Sequence, residues 1–154
     1  MKNKDFQILT ELRKNSRAQL KEISKNTTIP ISTIFDRLKN GYSSIIKKHT
    51  SILNFENLGF NAKANIFLKC NKTTKSKLFN FLRTHPNTNS LYKINNGFDY
   101  MVEVIFKNVK ELEEFNEEIE ESYGIKSKQV YYLIDEIIKE NFMTNPIFKQ
   151  NGLN

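Results

Sequence analysis

The order in which hydrophobic periodicity changes after residue 62 limits the folds open to this chain more than any other feature. Strand-like alternation and helical spacing follow one another in six segments: strand 63–70, helix 75–84, strand 91–94, strand 98–107, helix 109–123 and strand 128–138. Asn95-Asn96-Gly97 is a turn between two of these strands, and Asn108 stands three residues before Glu111 as in a capping box. A β-α-β-β-α-β order predicts a ferredoxin-like domain.

The first 50 residues carry helical spacing instead. Helices are predicted over 4–14, 17–26 and 32–40. Pro30 excludes helical geometry at Ile29, and Ser32 is placed to cap the third helix. Two short helices, a turn and a third helix with a polar face predict a helix-turn-helix. Lys47-Lys48-His49, flanked by apolar residues, predicts a short basic β-ribbon, or wing.

These patterns predict an α+β protein in four segments. They are a winged helix-turn-helix over 1–50, a linker over 51–61, a ferredoxin-like domain over 62–142 and a loose tail over 143–154.

Charge separates the two predicted domains. Residues 1–50 contain 11 Lys and Arg against 4 Asp and Glu, whereas residues 51–154 contain 13 of each. The whole net charge of +7 therefore lies in the first third of the chain, which indicates an anionic partner such as nucleic acid.

Other classes of protein find little support. No apolar run approaches the roughly 18 residues of a membrane helix, and the chain starts with charged residues rather than a signal peptide. One cysteine, Cys70, cannot form an internal disulfide, and it is in phase with core residues of its strand. One cysteine and two histidines are too few for a structural zinc site, which usually has four such ligands. We expect a cytoplasmic protein without metal or cofactor.

The third helix carries the sharpest functional signal, because its outer face presents short polar groups and cations. Such a face suits the major groove of double-stranded DNA, and the wing lysines suit phosphates. The candidate DNA-binding residues are Arg17, Ser32, Thr33, Asp36, Arg37, Lys39, Lys47 and Lys48. An ordinary three-helix element with a solvated face is the alternative. The glutamates of 111–121 are interpreted as a solvated helix face.

With these residues in place, the chain resembles the Lrp/AsnC (feast/famine) family of prokaryotic transcription regulators over about residues 3–140. The matching pieces are Asp5, Ile8-Leu9, Leu12, Asn15-Ser16-Arg17, Glu22-Ile23, Ser32-Thr33-Ile34, Arg37-Leu38, Ile45-Ile46, His49-Thr50, Leu58-Gly59 and Gly97-Phe98-Asp99-Tyr100. Two positions depart from the family pattern: Thr28 and Ser44 stand where glycines are common. The segment from Lys39 to Ser44 is also shorter than in the family pattern.

The resemblance implies a sequence-preferring regulator that dimerises through its second domain, often assembles into octamers and commonly binds an amino acid there. It also implies that Arg37 contacts phosphate. A homodimer is expected from the residues as well, because two helices cover one face of a four-stranded sheet while both faces carry apolar residues. An effector site is expected at the turn, with Asn96, Gly97 and Asp99.

Two other functions remain open. An architectural, nucleoid-associated protein would bind DNA with little sequence choice. A siroheme-decarboxylase-like enzyme has a similar two-part fold, but its tetrapyrrole would want several His or Arg residues, and the second domain offers only Arg83 and His85.

Overall fold

A computed structural model describes residues 3–144 of the 154-residue chain. The described residues divide into two compact units. The first contains residues 3–52 together with 137–144, and the second contains residues 53–136. The predicted second domain extended to residue 142, so the last part of that range is grouped with the first unit instead. Residues 145–154 of the predicted tail lie outside the described residues.

Three helices form the first unit: α1 (Asn3–Lys14), α2 (Leu20–Thr27) and α3 (Ile31–Asn40). Their apolar stripes meet in a small core, as the spacing predicted. Its buried members are Ile8, Leu9, Ile23, Ile29, Ile34 and Tyr42. The helix-turn-helix pattern is confirmed, although α2 begins at Leu20 rather than at residue 17.

The turn between α2 and α3 is built without glycine. Thr28 adopts a left-handed conformation with φ 58°, and its N–H donates to the Ser24 carbonyl at 2.8 Å. A threonine in this conformation costs on the order of 1 kcal/mol, which the surrounding hydrogen bonds must offset. The Ser24 hydroxyl donates to the Ile29 carbonyl at 2.7 Å and closes the turn.

The predicted Ser32 cap is wrong. α3 begins at Ile31, and Pro30 occupies the N-cap position without a side-chain cap bond. Proline fixes a φ suited to the start of a helix and needs no N–H partner, so the helix begins before Ser32.

The predicted β-ribbon over residues 45–53 does not form, since no residue between 41 and 61 is in a paired strand. The Tyr42 carbonyl accepts from the N–H groups of Ile45 and Ile46, at 3.0 and 2.8 Å. Those N–H groups therefore close a turn and are not available to a ribbon. Beyond the turn, residues 47–54 are exposed and without regular structure, and a short 3₁₀ turn follows at Glu56–Leu58.

The C-terminal segment 137–144 completes the first unit through Arg13 of α1. The guanidinium donates to the Phe142 carbonyl at 3.1 Å, to the Glu140 carbonyl at 2.8 Å and to Glu140 Oε2 at 2.9 Å. Met143 packs against the helical core.

The second unit confirms the predicted β-α-β-β-α-β order. Its elements are β1 (Ala62–Cys70), α4 (Lys75–Thr84), β2 (Thr88–Lys93), β3 (Tyr100–Phe106), α5 (Val109–Tyr123) and β4 (Ile125–Tyr132). The strands form one antiparallel sheet in the order β2-β3-β1-β4, so β1 and β3 are central. Asn108 caps α5 by accepting from the Glu111 N–H at 3.0 Å, as predicted.

The last strand ends earlier than the predicted 128–138. Gly124, with φ 59°, ends α5 and lets β4 begin at once at Ile125. β4 then pairs along β1 until Tyr132 lies opposite Ala64, and the Leu133 N–H makes a final bond to the Lys63 carbonyl. β1 starts at Ala62, so residues 135–138 lie beyond its end and have no strand to pair with.

The alternation along β1 divides the sheet into two faces. Ala62, Ala64, Ile66, Leu68 and Cys70 are buried with α4 and α5, while the residues between them are half-buried on the opposite, open face. Cys70 is therefore a core residue, as its phase predicted.

His85 lies at one end of this core, among aromatic rings. Its ring centroid is 4.7 Å from that of Phe115, and its Nδ1 accepts from the Asn87 N–H at 3.2 Å. Burial lowers the pKa of His85, against a smaller opposing effect of Glu118. Protonation would also remove the acceptor at Nδ1.

Lowering the pH from 7.5 to 5 should therefore reduce the free energy of unfolding of the second unit. The unfolded chain, in which the pKa of this histidine is ordinary, binds the proton more readily than the folded chain. The decrease is limited to about 1.4 kcal/mol per pH unit for one group. Urea unfolding followed by circular dichroism at several pH values measures it. His85→Gln should lose the part of the pH dependence that comes from His85, whereas His49→Gln, at an exposed position, should keep it. If the free energy of unfolding changes equally with pH in both variants, His85 is not its source.

Candidate nucleic-acid interface and sheet cavity

The outward face of α3 presents most of the predicted base-contacting side chains. Ser32, Asp36 and Lys39 are exposed, and Thr33 is half-buried at one side of the face. Phe35, which the sequence-based prediction omitted, is 51% exposed at the other side. Its position three residues after Ser32 and four before Lys39 is the signal that could have identified it.

Arg37 differs from the other predicted DNA-binding residues because its guanidinium is engaged within the unit. Nη1 lies 3.3 Å from Oδ1 of the buried Asp5, and the Tyr42 hydroxyl donates to the same oxygen at 3.1 Å. Burial and the neighbouring Asp5 carboxylate raise the pKa of Tyr42, so the phenol keeps its proton and remains a donor. Arg37 thus holds α3 against α1.

The remaining predicted phosphate-contacting residues are exposed. Arg17 precedes α2 in a turn in which its N–H donates to Asn15 Oδ1 at 3.0 Å. Lys47 and Lys48 lie on the segment that follows the Tyr42 turn. That segment has no strand pairing, so the two lysines extend from an irregular loop rather than from a ribbon.

A cavity of about 610 Å³ opens on the face of the sheet away from the helices. Amide and aromatic side chains provide most of its lining, without a charged residue: Asn65, Phe67, Ile94, Asn95, Asn96, Phe98, Gln129 and Tyr131. The amides supply both donors and acceptors, and the rings supply flat apolar surface. A small zwitterionic or polar molecule fits this chemistry.

The predicted effector residues do not all lie at the cavity. Asn96, at φ 59°, lines the cavity, and Gly97, at φ 95°, has open space around its Cα. Asp99 does not line the cavity. Its carboxylate pairs with Lys75 and accepts from the Cys70 N–H at 3.1 Å.

This pairing fixes the charge state of Asp99. The hydrogen bond from Lys75 lowers the pKa of the carboxyl, against a smaller effect of burial, and the same bond raises the pKa of Lys75. The Asp99 N–H also donates to the Leu68 carbonyl at 2.8 Å. Asp99 therefore attaches the turn to the end of β1 instead of presenting a free carboxylate.

A second cavity, of about 480 Å³, lies beside α4 and the edge strand β2. Cationic and apolar side chains line it: Lys75, Phe79, Arg83, Leu91, Lys93 and Tyr100. The Arg83 guanidinium lies 5.8 Å from the centre of the Phe79 ring. His85 is not in this lining but in the aromatic cluster, so the two residues considered for tetrapyrrole binding occupy different surroundings.

Across residues 3–144, no helix is both long and apolar enough to span a membrane. Over the same residues no group of three or more His, Cys, Asp or Glu side chains is arranged to hold a metal ion.

Comparisons with known proteins agree with this two-part architecture. Residues 1–40 match a family model described as winged helix-turn-helix DNA-binding, and residues 63–142 match one described as the Lrp/AsnC ligand binding domain. The HTH-type transcriptional regulator FL11 of Pyrococcus furiosus is 32% identical over 123 residues, covering 79% of this chain and 82% of its own. LrpB of Bacillus subtilis is 26% identical over 136 residues, covering 88% of this chain and 89% of its own.

Solved structures show the same fold. A transcriptional regulator from Neisseria meningitidis, crystallised as its L-Met complex, has a TM-score of 0.83 at 21% identity, covering 90% of this chain and 93% of that one. LrpC of Bacillus subtilis has a TM-score of 0.80 at 19% identity, covering 90% and 97%. The α+β fold, the helix-turn-helix and the match across both units lead to one conclusion: this chain belongs to the Lrp/AsnC family of DNA-binding transcriptional regulators.

Proposed function

We propose that the protein regulates transcription by placing α3 in the major groove of double-stranded DNA. The observation that carries this proposal is the coincidence of two features in the first unit: the polar outward face of α3, and the whole net positive charge of the chain. Ser32, Thr33, Asp36 and Lys39 then face base edges, because the first turns of a recognition helix reach them. Such a regulator acts on chromosomal DNA in the cytoplasm.

The other cations serve affinity rather than sequence choice. Arg17, Lys47 and Lys48 are exposed and contact phosphates, which position the protein without reading sequence. Arg37 makes the same contact from the edge of α3 while its pairing with Asp5 keeps the helix in place. Substitution of Arg37 would thus perturb both binding and folding, and the lysines provide the cleaner test.

Replacement of Lys47 and Lys48 by alanine should weaken DNA binding and flatten its salt dependence. Removal of one lysine–phosphate pair reduces the slope of log K against log salt by about 0.9, because fewer counterions are released on binding. Fluorescence anisotropy across a salt series measures the slope. The control is Lys110→Ala on α5, whose side chain is 86% exposed. An unchanged slope in the double variant would remove these lysines from the interface.

Selection from random DNA, followed by anisotropy measurements on unrelated duplexes, separates a sequence-preferring regulator from an architectural protein. A regulator should select a common motif from random DNA, and Thr33→Ser should alter the selected bases. Equal affinity for unrelated duplexes would instead favour an architectural, nucleoid-associated role.

We further propose a homodimer formed through the open face of the sheet. Phe67 and Met101 lie half-buried on this face, with Tyr92, Tyr131 and Leu133 exposed around them. A contiguous apolar patch of this kind is unusual on a monomer, and a second sheet packed against it would remove it from water. Two copies then present two α3 helices to half-sites about 34–36 Å apart. Higher even oligomers such as octamers are built from these dimers.

Tyr131→Asp should disrupt the dimer, since it places a charge within the surface that a second sheet would bury. Light scattering at micromolar concentration should give twice the 18.1 kDa mass of the chain for the wild type and a lower mass for the variant. Val109→Asp is the matched control, because Val109 is also 54% exposed but lies on α5, on the other side of the sheet. A monomeric wild type would contradict the proposal.

The cavity on the same face is the proposed effector site, completed where two subunits meet. An amino acid fits it through its charged ends: amide carbonyls accept from the ammonium group, and amide NH₂ groups donate to the carboxylate. The aromatic lining favours an uncharged side chain. Asn96 contacts the ligand, Gly97 allows close backbone approach, and Asp99 holds the turn in shape through Lys75.

A thermal-shift screen of the twenty amino acids tests this site. A true effector at 100 times its Kd stabilises the protein by about 2.7 kcal/mol, which raises the melting temperature. Asn96→Ala should abolish the shift, and Asn89→Ala, at an exposed position of β2 outside the cavity lining, should retain it. No shift with any amino acid would leave the sheet face as an assembly surface alone.

A further inference from the structure

Phe35 is an exposed aromatic residue at one edge of the polar face of α3. The residue is 51% exposed, and it shares the face with Ser32 and Lys39. Ile31, one turn earlier, is 42% exposed, so the two residues form an apolar strip along one side of α3. Single exposed apolar residues are common on proteins, but this strip lies on the surface proposed to enter DNA.

The surroundings of the ring define what can cover it. The Lys39 ammonium lies 5.9 Å from the centre of the Phe35 ring, within the range of a cation–π contact. The partner must therefore tolerate a cation and offer an apolar group at the same depth. A hydrophobic protein surface meets only the second condition, because it would leave the ammonium group without water or a counter-charge.

The major groove of DNA meets both conditions. Its phosphates and base acceptors attract the ammonium group, and the C5-methyl of thymine is the apolar group on its base edges. Phe35 is the fifth residue of α3, in the half of a recognition helix that reaches the bases.

We infer that Phe35 is a specificity-determining residue that packs against thymine C5-methyl groups, so that the protein prefers thymine at the positions it covers. This inference rests on the proposed placement of α3 in the major groove. It adds an apolar contact to an interface otherwise described by hydrogen bonds and charge.

Replacement of thymine by deoxyuridine tests the contact on the DNA side, since uracil lacks only the methyl group. A duplex selected by the wild-type protein from random DNA is synthesised in both forms, and the Kd of each is measured by fluorescence anisotropy at one salt concentration. For each methyl group in contact, binding should weaken about fourfold, equivalent to about 0.8 kcal/mol at 1.4 kcal/mol per tenfold change.

The protein side of the test is Phe35→Ala. This variant should lose the part of the thymine–uracil difference that comes from the methyl contact, because it lacks the ring that packs on the methyl. Any effect of uracil on the shape of the duplex itself persists in the variant, so the difference between the two proteins isolates the contact. Val109→Ala, which removes exposed apolar surface from α5, should discriminate as the wild type does.

The failures can be told apart. If the wild type binds both duplexes equally, or if Phe35→Ala discriminates as well as the wild type, the thymine contact is wrong while DNA binding stands. If no duplex is enriched and none is bound, the proposed placement of α3 fails and the contact fails with it.

Discussion

A buried carboxylate holds the DNA-binding unit together. Asp5 is 5% exposed, and its Oδ1 receives the Tyr42 hydroxyl and lies beside the Arg37 guanidinium. Asp5 belongs to α1, Arg37 to the last turn of α3 and Tyr42 to the turn after it, so one side chain joins the segments that set the direction of α3. Taking a carboxylate out of water is unfavourable unless donors surround it, and removing one donor leaves much of that cost uncompensated. Arg37 is therefore part of the fold as well as a candidate for contacting DNA.

Elements with internal signals could be predicted from the sequence. α4 was expected over 75–84 and α5 over 109–123, and both have those bounds, because the apolar stripe and the Asn108 cap are local. β4 was misplaced because its length depends on pairing with a distant strand: its last residue, Tyr132, lies opposite Ala64, two residues from the start of β1. The predicted pairing of residues 45–53 into a β-ribbon does not form, since the Tyr42 carbonyl accepts from the N–H groups of Ile45 and Ile46.

The candidate sites were predictable to a different degree. The polar face of α3 follows from helical spacing, whereas the pairing of Arg37 with Asp5 joins residues 32 positions apart and leaves no local pattern. The same is true of Asp99, whose partner Lys75 lies on another element. Sequence alone presents Asp99 as a free acid beside a glycine turn. Only the fold shows that the carboxylate is already occupied and that amides of the turn, of β1 and of β4 line the cavity.

The three hydrogen bonds between Arg13 and the segment at Glu140 and Phe142 have a consequence for synthesis of the chain. The first unit contains residues from both ends of the described chain, and the whole second unit is inserted between them. A ribosome releases α1, α2 and α3 early, but the backbone that receives Arg13 is synthesised only after all residues of the sheet. The first unit therefore gains the contacts of Arg13 with Glu140 and Phe142 only after the whole second unit has been synthesised.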